Sequence, residues 1–447
     1  MTKLSSKSIS PDSITGMIFA AEGIKNVIVL LNGPMGCKFY HSTTSAFLTK
    51  HSPLRDAAGR SAEKGQVEYD ILNNWFFRQP RVPCTWLDGD DYVYGTAEKA
   101  DAAMRYFGEK FRFDLLVIVD SPGASLIGDE LKELAARVLP GKPTAVLESP
   151  GYSEHYADGY DRAAAEILRQ LPDRFSPGPK PGAQPRVNLL GLSVWQRYWD
   201  GDKAELTRLL EACGIRVGCC LCADSTVEDI FSLPEADLNL LLYPEMGRET
   251  AALLEKRFGT PCLTLDGPPV GFAATEEMIR AVCARLDVSP DPVLEESERK
   301  RAECWFKLRG LDQQNFLSSR LAFAVEGPDS AVWAYTRFLT DYLGMTPDCV
   351  SLNGSPVPEC REKLRALLRS LGAGDAETKD ILDTSAELVY ADANTIAALM
   401  TRNDAFSGIE ISLPGMGYVD IVPKTHLGLT GAQFLTEQTV NGLMSRI

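Results

Sequence analysis

The chain has 447 residues, 45% of them hydrophobic and 24% charged, with a formal net charge of −15. That length exceeds one ordinary hydrophobic core and implies two to three domains, while no apolar run approaches the ~18 residues of a membrane span. The acidity argues against a nucleic-acid surface, which needs clustered Lys and Arg, and leaves solubility or a face for a basic protein partner.

The opening MTKLSSKSISPDS lacks the basic-then-apolar order of a secretory signal, so a cytoplasmic chain with reduced thiols is expected. Its eleven cysteines are then buried hydrophobes, metal ligands or reactive thiols rather than a disulfide framework. NVIVLL at 26–31, DLLVIVDS at 114–121 and TAVLES at 144–149 read as buried parallel strands. Helix-period segments starting at Ala97, Gly128 and Asp158 accompany them, which is βαβ construction. The Pro- and Gly-rich stretch LPDRFSPGPKPGAQPR cannot continue a helix and marks a linker.

The pattern restarts with VNLLGLS at 187–193, a helix from Asp202, IRVGCCL, a helix around Val227, LNLLLY at 238–243 and ETAALLEKRFG. EESERKRAECWFKLRGLDQQNFLSS reads as a connecting helix, and RLAFAVEG at 320–327 with WAYTRFLTDYLG opens a third unit. The expected domains are 1–170, with a linker at 171–186, then 187–291, a connecting helix at 292–318, and 319–447 with a C-terminal helix. The fold class is therefore α/β, with three Rossmann-like, doubly wound parallel-sheet domains. GxxxxGK[ST], a strand followed by GxGxxG, and HExxH are all missing, so no nucleotide loop or zinc motif is expected to serve these domains.

NVIVLLNGPMGCKFYHS delivers Cys37 at the end of a buried strand, on a turn where Gly33 and Gly36 permit close approach and Pro34 stiffens the exit. Such a thiol either meets a cofactor or a partner, or fills a tight turn. Cys84, in RVPCTWLDGDD, is a second candidate thiol, and Asp88 and Ser121 are weaker oxygen candidates. His41 follows closely enough to tune a metal group through hydrogen bonding, or to serve as an exposed or capping His. In GCCLC at 218–222, Cys220 and Cys222 would share one strand face, which suits burial in a sheet; a functional reading keeps Cys222 and Asp224 at the strand end. His155 and His426 are each a possible proton donor or a structural His.

GPMGC resembles the GPxGC motif of nitrogenase component 1, whose Cys ligates an iron–sulfur cluster shared between subunits. DDYVYGTAEK at 90–99, SPGASLIGDEL at 121–131, ESPGYSEHYADGYDRA at 148–163, LNLLLYPEMGRETAALLEKRFGTPC at 238–262 and HLGLTGAQFLTEQTVNGL at 426–443 are similar, in order, to further stretches of that family. The resemblance runs from about Ile9 to Leu443 and implies three α/β domains around a central crevice.

The departures fall on metal ligands. Where the family has a further Cys before GPxGC, this chain offers Ser8 and Ser10, and Ser121, Pro122 and Gly123 stand where another Cys precedes LIGD. The position of the family's cofactor thiolate matches Tyr243, and that of its late His matches Leu427, with His426 beside it. An iron–molybdenum cofactor is therefore not expected. The resemblance instead implies a [4Fe–4S] cluster at a subunit interface, to which this chain gives Cys37. The other ligands would come from a second component 1-like subunit, or from a homodimer in which Cys84 joins.

Electrons would arrive from an iron-protein-like ATPase, so ATP is not expected on this chain. The substrate would be organic, in a crevice near Tyr243, Cys222 and His426, with Tyr243 or His426 donating protons. Two other roles compatible with the resemblance are a scaffold for metal-cofactor assembly and a clusterless binding or structural paralogue.

Overall fold

The computed structural model describes residues 11–38, 82–149, 154–180, 182–312, 321–402, 406–415 and 422–444. Among them are three sheets, whose described strand pairings are parallel throughout. The chain divides into two compact units. One comprises Pro11–Pro177 with Cys219–Pro234; the other holds the described parts of Gly178–Gly218 and Glu235–Ile447.

The first unit is built on the strands β1 (Val27–Asn32), β2 (Leu115–Asp120) and β3 (Thr144–Leu147), in that order across the sheet. All residues of β1 and β2 are buried, as continuous apolar runs flanked by helices require. On one face Ile28, Leu30, Leu116 and Ile118 pack with Met104 and Phe107 of α3 (Ala97–Lys110) and Leu131 and Ala135 of α5 (Leu131–Val138). Between these come α2 (Asp91–Tyr94) and α4 (Pro122–Ile127). The edge strand β3 is covered by Gln170, whose side chain accepts from Val146 N–H at 3.0 Å and donates to Val146 O at 2.8 Å, so that it mimics a neighbouring strand.

The other face is closed by α1 (Ser13–Glu22) and α6 (Tyr156–Gln170). Every residue of α1 is buried and it has no polar stripe, which is why helix periodicity does not reveal it. The two helices cross at glycines. A Cβ on Gly16 would stand 2.0 Å from Tyr156 O, and one on Gly159 would stand 1.9 Å from Ser13 O.

In the second unit, β4 (Arg186–Leu190), β5 (Arg216–Cys220), β6 (Leu238–Leu241) and β7 (Cys262–Thr264) form a sheet of order β5-β4-β6-β7, the last two residues of β5 belonging to the first unit. Its helices are α7 (Trp199–Ala212), α9 (Arg248–Phe258) and α10 (Gly271–Leu286), while α8 (Val227–Phe231) lies in the first unit. The long helix α11 (Asp291–Asp312) follows, starting one residue before the expected 292, with Pro292 suiting a first helical turn. The remainder of that expected helix lies outside the described residues.

The third sheet contains β8 (Ala322–Gly327), β9 (Thr346–Leu352), β10 (Leu388–Ala391) and β11 (Ser407–Glu410), ordered β11-β10-β8-β9. With it come α12 (Asp329–Arg337), α13 (Pro358–Ser370), α14 (Ala393–Met400) and α15 (Gly428–Met444). No helix among the described residues is long and apolar enough to cross a membrane.

The glycine crossing yields a test. Gly159→Ala forces a methyl group into the α1 backbone, which neither helix can relieve by a rotamer change. Chemical denaturation should show a loss of about 1–3 kcal/mol, and an unchanged midpoint would mean the two helices do not meet at these glycines.

Candidate functional site

β1 ends on Asn32 and β2 on Asp120, and the two residues are partners in the strand register. Asn32 is fully enclosed. Its Nδ2 donates to Asp120 Oδ1 at 2.8 Å and to Thr96 Oγ1 at 2.9 Å, and its Oδ1 accepts from Thr85 Oγ1 at 3.0 Å. Thr85 Oγ1 accepts in turn from the Gly33 N–H at 3.0 Å, and the Ser121 N–H donates to Asn32 O at 3.0 Å. Burial pushes the Asp120 carboxyl up to about 6, the Asn32 hydrogen bond opposes this, and the Glu148 and Asp129 carboxylates reinforce it.

This network holds the start of the glycine turn. Beyond it, Met35–Lys38 forms one short 3-10 turn, with Cys37 N–H donating to Pro34 O at 3.2 Å and the Cys37 side chain half-buried. A Cβ on Gly33 would lie 2.7 Å from Ser121 Cβ, so packing requires glycine there, whereas one on Gly36 would meet nothing within 4 Å among the described residues.

Cys84 is brought to the same strand end. Leu31 and Cys84 form a parallel bridge, with Leu31 N–H donating to Pro83 O at 2.9 Å and Thr85 N–H to Leu31 O at 3.0 Å. Cys84 too is half-buried.

The oxygen candidates are engaged elsewhere. Ser121 is buried as the N-cap of α4, accepting from Ala124 N–H at 3.4 Å. Asp88 Oδ1 accepts from the Asp90 and Asp91 N–H groups and Oδ2 from Lys99, and that lysine bond, first among its causes, holds the carboxyl below its ordinary range. His41 lies outside the described residues, as do Ser8 and Ser10. Among the described residues no three His, Cys, Asp or Glu side chains gather to hold a metal ion. Of the candidate ligands, the described residues bring Cys37 and Cys84 to the same strand end.

The same end of the sheet exposes large apolar side chains. Met35 sits in the turn itself, Trp86 is 64% exposed, and Val93 and Tyr94 of α2 and Leu126 of α4 are 73%, 86% and 88% exposed. Tyr92 ties α2 to α4, since a Cβ on Gly123 would meet its ring at 2.5 Å.

Tyr243 and His426 lie in the second unit, while Cys222 belongs to the first. Tyr243 follows β6, is 9% exposed, and burial raises its hydroxyl well above the ordinary range. His426 is enclosed between the Tyr198 ring, edge-on at 4.7 Å, and Phe434, stacked at 5.9 Å. Gln438 Oε1, 3.3 Å from Nε2, can only accept, so Nε2 carries the proton and Nδ1 accepts from the Tyr335 hydroxyl at 3.1 Å. Burial, with Arg197 and Lys424 adding to it, lowers His426 to about 3, and the ring is neutral. Its backbone N–H donates to the buried Asp202 carboxylate at 2.8 Å, which also takes Leu427 N–H and Thr425 Oγ1 and so anchors the approach to α15.

GCCLC departs from the strand expectation. β5 stops at Cys220, and Cys222 (φ 56°) and Asp224 (φ 65°) are left-handed, so Cys220 and Cys222 share no strand face. Cys222 is buried, its carbonyl accepts from Tyr160 Oη at 3.2 Å, and burial pushes its thiol up. His155 caps α6, with its N–H held by Asp158 Oδ2 at 3.0 Å.

The family model of the nitrogenase component 1 type oxidoreductases matches residues 13–443. The chain belongs to that family. It is 30% identical over 404 residues to a light-independent protochlorophyllide reductase subunit from Synechococcus sp. (strain WH7803), covering 86% of this chain and 74% of the relative. Against the corresponding protochlorophyllide reductase subunit from Halorhodospira halophila (strain DSM 244 / SL1) it is 29% identical over 400 residues, covering 86% and 73%. The solved structure of nitrogenase Cp1 at pH 6.5 superposes with a TM-score of 0.73 at 19% identity, over 98% of this chain and 92% of that one, which establishes the shared fold.

Within this family's fold the residues that sequence reading passed over are Asn32, Thr85 and Asp120. Their signal was present: VIVLLN and LLVIVD are apolar runs that each finish on one polar residue, a costly arrangement at a buried strand end unless the two meet.

His426 supplies the test here. Its folded-state value of about 3 lies below the ordinary 6.5, so the stability it contributes is fully present above about pH 6.5 and is lost as pH falls toward 3. His426→Gln should flatten the acid limb of a melting-temperature profile between those limits. An unaltered limb would mean that His426 is not held neutral by its surroundings.

Proposed function

We propose that this chain is a component of a nitrogenase-like reductase that takes electrons from a separate iron-protein-like ATPase and delivers them to an organic substrate through a [4Fe–4S] cluster shared with another subunit. The observation that carries this reading is the half-buried Cys37 on its glycine turn, set at a strand end that also exposes Met35, Trp86, Val93, Tyr94 and Leu126. An apolar surface of that extent suits a protein partner, and one thiolate from this side leaves a cubane needing ligands from the other.

A component 1-like subunit with three cysteines completes the set in one arrangement; a second copy giving Cys37 and Cys84 completes it in the other. That the similar proteins carry the name of a protochlorophyllide reductase supports an organic substrate.

When bound, the cluster would store and release single electrons. The chain's own part is to hold it: Cys37 supplies the thiolate, and the bond from the Gly33 N–H to Thr85 fixes the turn. The enclosed Tyr243 and the neutral His426 are assigned to packing and hydrogen bonding in this reading, not to proton delivery.

Cys37→Ala in the anaerobically purified assembly should abolish or weaken the cluster's electron paramagnetic signal and lower its iron and sulfide content, with circular dichroism unchanged. A signal and iron content equal to wild type would remove Cys37 from the ligand set and this reading with it.

A further inference from the structure

Two helices of the second unit end on cysteines that meet. Cys213 is the C-cap of α7, Cys283 lies in the last turn of α10, and the two thiols are hydrogen-bonded to each other. Cys283 is 1% exposed and Cys213 7%, while Glu211, Ala212 and Gly214 around Cys213 are exposed, so the pair lies just beneath the surface with Cys213 nearer to solvent.

Three helices come together at this point. Cys213 is also hydrogen-bonded to the backbone of Val293, a fully buried residue in the first turn of α11. α7, α10 and α11 all pack on α15. The ties between them include the ion pairs of Arg208 with Glu296 at 2.8 Å and of Arg301 with Glu276 at 2.7 Å, and the bond from Lys300 Nζ to Thr430 Oγ1 at 2.9 Å. Both arginines are partly exposed, so solvent and salt screen these pairs and each adds little. A covalent bond at the helix ends would not be screened.

Burial holds both sulfurs in the thiol form: Cys283 is pushed up to about 12, and Cys213 is raised in the same direction. The thiolate is the form that exchanges with disulfides, so in the reduced protein the pair is inert to passing redox couples and packs as two small residues. Attack on a hydroperoxide also runs through the thiolate, so the pair answers sustained exposure and not a transient.

We propose that Cys213 and Cys283 form a redox-sensitive clamp, which sustained exposure to a small hydroperoxide closes into a disulfide tying the end of α7 to the end of α10. Hydrogen peroxide first converts the Cys213 thiol to a sulfenic acid and leaves one water. The Cys283 sulfur then attacks the Cys213 sulfur, the S–OH bond breaks, and the hydroxide leaves with the Cys283 proton as a second water. Two thiols thereby lose two electrons and two protons to one peroxide. The clamp does not rest on the cluster: Cys37 and Cys84 belong to the other unit of the chain.

The test uses the full chain, purified anaerobically, incubated with hydrogen peroxide, alkylated, digested without reductant and mapped by mass spectrometry. A peptide pair joined through Cys213 and Cys283 is expected, two hydrogens lighter than the sum of its parts and separated again by dithiothreitol. Peroxide-treated wild type should melt roughly 5 °C above Cys213→Ser treated in the same way, and dithiothreitol should remove that difference. Cys283→Ala should behave as Cys213→Ser does, with circular dichroism of both variants unchanged before oxidation. Wild type that yields no linked pair overturns the proposal. So does a Cys213 carried to the sulfonic acid with Cys283 still free, or a linked pair that leaves wild type melting with the variants.

Discussion

The Asn32 carboxamide is the contact on which the first unit's functional end depends. It sits where two fully buried strands finish and makes three side-chain hydrogen bonds, to Asp120, Thr96 and Thr85. Each reaches a different segment: the end of β2, the start of α3, and the length of chain that bridges Leu31. A buried polar group left unsatisfied costs about 1–3 kcal/mol, so these segments are held together as a set. The glycine turn inherits that order through Thr85, which accepts from Gly33, and Cys37 is thereby placed by a rigid strand end rather than by a loop.

Around this point the chain distributes its thiols unevenly. Cys37 and Cys84 stand half-buried at one strand end and Cys262 half-buried in β7, whereas Cys213, Cys219, Cys220, Cys222, Cys283, Cys304, Cys349 and Cys360 are buried. The buried group behaves as small hydrophobic residues; Cys222 and Cys360, for example, have thiols pushed up by burial. Ser121, at a position where the resemblance leads one to look for a ligand, has instead become a helix cap enclosed against Gly33.

The parallel sheets were legible because a strand covered on both faces is written as an unbroken apolar run, and β1, β2, β3, β6 and β8 have both ends within two residues of those runs. α1 was not legible for the converse reason: buried on every side, it has no polar stripe. Cys37 and Cys84 could be nominated from local sequence, but not the Asn32–Asp120 pair, whose members are 88 residues apart. His426 and Tyr335, 91 residues apart, present the same difficulty. From the sequence His426 is a candidate proton donor, and only its neighbours Tyr198, Phe434 and Arg197 reveal a ring held neutral.

The central claim is that this chain contributes one face of a shared iron–sulfur site. The most direct measurement is iron and acid-labile sulfide per chain, with the Mössbauer spectrum of iron-57-labelled protein, on material kept strictly anaerobic together with its natural partners. The account predicts cubane iron, with fewer than four irons per copy of this chain when it is stripped of those partners. Iron-free protein from anaerobic cells with partners in place would contradict it, as would a full four-iron cluster retained by a single isolated copy.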